Sequence, residues 1–123
     1  MNLDKESEIS VGLNIWLQSG EETVFCQGRA LLLEKIKEHG SLRQAAKSLK
    51  MSYRAAWGKL KQTHDVLGYE LIALTSSRPQ RYRLTRRGQE ILEAYWSWRK
   101  RVEEQAAGEA EDLFRLFVHP HGK

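Results

Sequence analysis

The chain reads as a mainly α protein with a small amount of β structure, and three observations carry that reading. The run Ser41 to Lys61, SLRQAAKSLKMSYRAAWGKLK, holds two short apolar-periodic stretches, each opened by a serine. Short strand-like stretches lie on either side of it, within Val11–Cys26 and Glu70–Leu84. From Arg86 onward, apolar residues recur at intervals of three and four. Helices repeat with period 3.6 and strands with period 2. Together these patterns predict a winged helix-turn-helix with an N-terminal β-hairpin and a long C-terminal dimerisation helix.

In chain order, residues 1–10 are acidic and polar and read as a flexible tail. From Val11 to Gln18, Val11, Leu13, Ile15 and Leu17 alternate with Gly12, Asn14, Trp16 and Gln18, which predicts a strand with one buried face. Ser19, Gly20 and Glu21 are turn residues, and Thr23–Cys26 can return as a second strand. This hairpin would pack on the chain's own helices or on a partner chain. Gln27–His39 follows as a helix with Leu32, Leu33 and Ile36 on its inner stripe, and Gly40 ends it.

Ser41 can cap the amides of the next helix, in which Ala45, Ala46 and Leu49 recur at helical spacing. Ala46 is small where a second helix must cross closely. Lys50 and Met51 make the joint. A left-handed backbone is often needed there, which Gly or Asn tolerates better than Lys; a wider turn removes that cost. Ser52 opens the second helix, which turns Ala56 and Leu60 inward and continues to Val66 or Leu67, with Gly68 as its stop. His64 near its end reads as solvated or facing the helix dipole. In this motif the second helix enters the major groove. The candidate DNA contacts on the two helices are Ser41, Arg43, Ser52, Tyr53, Arg54, Trp57 and Lys61, with Gly58 also outward. Tyr, Arg and Lys are suited to phosphates and base edges. The plainer alternative is a helical hairpin inside another small fold.

Glu70–Leu74 then reads as a strand, Thr75–Gln80 as a loop and Arg81–Leu84 as a return strand. A hairpin directly after a recognition helix is a wing. Arg78, Arg81 and Arg83 would set positive charge on its tip and edge, against the phosphates of a flanking groove. The same arginines would also suit a protected edge strand. Thr85 caps the last helix, on which Ile91, Tyr95, Trp98 and Val102 form a heptad-like seam, with Leu92 and Trp96 as a second ridge. One small domain has little core left to cover so much aromatic surface, which suggests a two-fold partner on this helix. Simple packing over the hairpin is the alternative. Gly108 is expected to break the helix, and Leu113, Phe114 and Phe117 to form a short amphipathic segment after it. The domain plan is therefore a tail at 1–10, a DNA-binding domain at 11–85, the dimerisation helix and segment at 86–118, and a tail at 119–123.

Composition limits the function. A chain of 123 residues with 41% hydrophobic and 29% charged residues has an ordinary globular balance. No apolar run is long enough to span a membrane, and the N-terminus is unlike a secretory signal. Cys26 is the only cysteine, so no intramolecular disulfide forms and a cytoplasmic location is expected. The net charge is +4, but it is unevenly spread. Residues 1–40 carry −3, residues 41–101 carry +10, and residues 102–123 carry −3. A basic stretch that begins at the helix-turn-helix and is bounded by acidic flanks is the footprint of a nucleic-acid face. Patterns for catalysis are absent: no phosphate-cradling glycine loop, no nucleophile elbow, no His–carboxylate metal spacing. His119 and His121 alone are a weak metal signal. The chain is not expected to be an enzyme or to need a cofactor.

The runs Gly40-Ser41-Leu42-Arg43-Gln44-Ala45-Ala46 and Met51-Ser52-Tyr53-Arg54-Ala55-Ala56-Trp57, with Leu84-Thr85-Arg86-Arg87-Gly88 after the wing, resemble the DNA-binding domain of ModE-type molybdenum-responsive regulators. The same region is similar to the N-terminal domain of LysR-type regulators. The resemblance covers residues 11–107 and implies a winged-helix homodimer that represses or activates transcription. In ModE proteins a separate C-terminal region binds the oxyanion. The sequence ends at Lys123 without it, so molybdate is not expected as a ligand. Two functions follow. One is a regulator that binds a near-palindromic operator in double-stranded DNA. The other is a protein-interaction module that keeps the fold without binding DNA specifically.

Overall fold

In the computed structural model the elements run β1 (Trp16–Ser19), β2 (Glu22–Cys26), α1 (Gln27–His39), α2 (Leu42–Ser48), α3 (Tyr53–Leu67), β3 (Ile72–Leu74), β4 (Tyr82–Leu84) and α4 (Arg86–Phe114). Residues 8–120 are described; most of the N-terminal tail, and His121 with the two residues after it, lie outside the described residues. The chain divides into two units, one of residues 16–95 and one that joins its two ends, up to Ile15 and from Trp96 onward. The fold is the winged helix-turn-helix expected from the sequence, with an N-terminal hairpin and a long last helix.

In the unit of residues 16–95, helix boundaries follow local chemistry. α1 ends because Gly40 takes a left-handed backbone, φ 67°, and returns its N–H to Ile36. The Ser41 hydroxyl accepts from the Gln44 N–H and opens α2, and the Ser52 hydroxyl accepts from the Ala55 N–H and opens α3. Gly68, φ 80°, closes α3. The joint between α2 and α3 is the tight form, not the wider turn, because Lys50 itself adopts φ 57°. Its N–H reaches Lys47, and Met51 donates to Ala46. Ala45, Ala46 and Ala56 are fully buried where the two helices meet α1 and each other. Leu32, Leu33 and Ile36 of α1, Phe25 of β2 and Leu71 before β3 complete the core.

Three boundaries differ from the sequence reading. The strand expected over Val11–Gln18 begins only at Trp16 and pairs antiparallel with β2. The expected alternation of half-buried and exposed residues does run from Val11 to Ile15. The β1–β2 ladder begins only at Trp16, and Val11 gives its N–H to His119. β1 is exposed throughout, and Leu17 is 48% exposed. The hairpin buries β2 instead, where a bulge opposite Leu17 and Gln18 turns both Val24 and Phe25 inward. In the second hairpin, β3 starts at Ile72 because the carbonyls of Glu70 and Leu71 are taken by the Thr85 hydroxyl and N–H. Arg81 lies just outside β4, since its N–H goes to the Thr75 hydroxyl.

The third difference is larger. Gly108 does not break the last helix; α4 runs on to Phe114 and ends where Arg115 takes φ 58° and donates to Glu111. Leu113 and Phe114 are thus its last turn, and only Phe117 lies beyond. A helical glycine costs about 1 kcal/mol relative to alanine. Local contacts offset that here: Ala107 is buried next to it and the Gln105 amide donates to Glu109 across it. Within the unit formed by the chain ends, Arg99 pairs with the buried Glu103 at 2.7 Å, and Glu111 accepts the Val118 N–H. Among the described residues no helix is long and apolar enough to cross a membrane.

Candidate nucleic-acid interface

The exposed side of α3 begins with Tyr53 and Arg54 and continues through Trp57 and Lys61. One turn of helix brings residues three and four apart onto one face, so these side chains form a stripe while Ala56, Leu60 and Thr63 face the core. Trp57 is 47% exposed although it is large and apolar, a costly placement for a side chain with no outside contact. Lys61 is held at 2.8 Å by Asp65, one turn on. Hydrogen bonds from Lys61 and His64 hold the Asp65 carboxyl below its usual value. His64 also reaches Glu70 at 3.1 Å, so it belongs to a surface polar network that ties the end of α3 to the start of the wing.

Two of the expected contacts have structural work of their own. Ser41 and Ser52 spend their hydroxyls on capping, which aims the first turns of α2 and α3 outward. Arg43 and Tyr53 are brought together: the guanidinium carbon stands 4.8 Å above the tyrosine ring centre. Burial, and then the charge and hydrogen-bonding influence of Tyr53, push the Tyr82 phenol above its usual value.

The wing is a three-pair ladder, Ile72 opposite Leu84, Ala73 opposite Arg83 and Leu74 opposite Tyr82. It is fixed to the helices by one backbone bond, Tyr82 N–H to Gly40 O at 2.9 Å. Arg78, Arg81 and Arg83 are all exposed, on the tip and on one edge. Arg81 lies against Gly40, where an added Cβ would touch its side chain at 3.4 Å. The residues expected along the dimer seam divide. Tyr95 is buried and meets Phe25 edge-on at 5.7 Å, which is the packing over the hairpin considered as the alternative. Ile91 and Val102 are half-buried, and Trp98 is 36% exposed. No group of three His, Cys, Asp or Glu among the described residues is placed to hold a metal ion.

Two residues that position this face were missed in the sequence. Gly88, in the first turn of α4, has Leu71 O where a Cβ would sit, at 2.1 Å, so only glycine lets the helix start against the wing. Arg29 is 4% exposed. It donates to the carbonyls of Thr23 and Val24, to the Thr63 hydroxyl and to the Gln62 side chain, joining β2 to α3 from behind. Burial pushes its guanidinium below the usual value, opposed by the nearby Cys26. The signal for it was its place on the apolar stripe of α1, three and four residues before Leu32 and Leu33.

Residues 29–89 match the family described as bacterial regulatory helix-turn-helix protein, lysR family. The matched span opens at Arg29 and takes in α1, both helices of the motif, the wing and the first turn of α4. This segment is similar to the helix-turn-helix domain of lysR-family regulators. No curated protein matches the chain.

Proposed function

We propose that this protein is a transcriptional regulator of the ModE/LysR winged-helix type that binds a near-palindromic operator as a cytoplasmic homodimer. The observation that carries the reading is the single exposed stripe of Tyr53, Arg54, Trp57 and Lys61 on a capped helix, beside a wing that carries Arg78, Arg81 and Arg83. In such a motif the second helix enters the major groove and the wing meets the backbone beside it. The ModE likeness rests on Ser52 to Trp57, of which Tyr53, Arg54 and Trp57 supply exposed surface on α3. Dimerisation is assigned to α4 through Ile91, Trp98 and Val102, with Tyr95 anchoring the helix to its own hairpin. No oxyanion response belongs to the reading: molybdate should leave DNA affinity unchanged.

The test is a gel shift on genomic fragments over a series of salt concentrations. Binding should weaken steeply as salt rises, with a log–log slope that counts phosphate contacts. Arg81→Ala should lower affinity for every fragment and reduce that slope by about one unit. Binding that is absent, or indifferent to salt, would favour the protein-interaction module instead.

A further inference from the structure

Two contacts lie around the start of the recognition helix. Arg43 of α2 stands over the ring of Tyr53, the first residue of α3. The Tyr82 N–H donates to Gly40 O, and Gly40 is the C-cap of α1, two residues before α2 begins. Arg43 is exposed and makes no ion pair among the described residues.

This arrangement restricts what Tyr53 can do. One face of its ring is covered by a guanidinium, although it stays 38% exposed. The Arg43 guanidinium carbon, in turn, sits over that ring, and its N–H donors make no hydrogen bond among the described residues. They form the fork that suits phosphate oxygens. In a helix-turn-helix the first helix of the motif crosses the DNA backbone, and Arg43 lies on that helix.

Resting on the DNA-binding reading above, we infer that Tyr53 is a positioning residue and not a base reader. Its ring holds Arg43 ready for a backbone phosphate. Arg43 is the phosphate contact; Tyr53 acts through it. Base reading is left to Arg54 and Trp57.

The experiment compares wild type, Arg43→Ala, Tyr53→Ala, Tyr53→Phe and the Arg43→Ala/Tyr53→Ala double variant. Each is titrated over a salt series with a duplex selected from a random pool by the wild-type protein, and with a random duplex. Arg43→Ala and Tyr53→Ala should each reduce the salt slope by about one unit, on both duplexes. The double variant should bind as Arg43→Ala does, within about twofold. Tyr53→Phe keeps the ring and should keep the slope. A Tyr53→Ala slope equal to wild type, or losses that multiply in the double variant, would overturn the inference.

A second measurement needs no DNA. The ring current of Tyr53 should move the Arg43 δ-proton resonances upfield in wild type and Tyr53→Phe, and not in Tyr53→Ala. Its absence in wild type overturns the stack. A wild-type protein with that shift but no salt-dependent DNA binding overturns the DNA reading itself, and the phosphate role with it.

Discussion

Single residues decide where this fold can be changed. Gly88 is the clearest case, because its missing Cβ is replaced by a carbonyl oxygen of the wing. Gly88→Ala must move backbone, not a side-chain tip. It should lose about 1–3 kcal/mol of stability, the usual cost of overpacking, and thermal denaturation would measure it. Lys50 shows the opposite tolerance. The tight turn needs a left-handed residue and receives one without glycine. On the DNA face, Arg54 has no structural duty among the described contacts, unlike Ser41, Ser52 and Tyr53, so its loss should be read in recognition alone. Arg54→Ala should cost about 1–3 kcal/mol on a preferred duplex and relax base choice at one position. Equal loss on all duplexes would make it a phosphate contact. The capping serines, Gly40 and Gly68 were legible in the sequence because each acts through its own backbone. Arg29 and Gly88 were not, since each owes its meaning to chain far along the sequence.

At the scale of elements, helices were easier to read than strands. α1 and α3 end at glycines, and their apolar stripes are periodic. The strands are three to five residues long, and their limits depend on which carbonyls a neighbouring element claims. Thr85 shortens β3 from fifteen residues away, which no local pattern announces. Gly108 misled for a related reason. It is a poor helix former, but Ala107 and the Gln105–Glu109 pair hold the turn around it. Its side-chain position faces open space. Gly108→Ala should therefore stabilise the protein, by about 0.5–1 kcal/mol, and raise helical circular dichroism slightly. A lowered melting temperature would mean that the glycine serves a partner.

For the whole molecule, the open matter is how two copies would present two recognition helices. A dimer on α4 should set them about one turn of DNA apart, about 34 Å, or a multiple of it. Trp98 is the most exposed of the seam residues, and Tyr95 is already committed to Phe25. Trp98→Glu should therefore give a folded monomer with little operator affinity, since an unpaired charge in a buried seam is strongly unfavourable. Sedimentation decides it: a Trp98→Glu dimer would place the interface elsewhere. The buried Arg29 carries a different consequence, one of timing. It grips two carbonyls of β2 and two side chains of α3 at once, so neither can loosen while it holds. In hydrogen exchange, the amides of β2 and of the second half of α3 should open together, as one cooperative unit with a shared free energy. Arg29→Met should split them, letting the hairpin amides exchange early while the helix stays protected. What was described as a structural clasp would then be the latch that sets the order in which this protein comes apart.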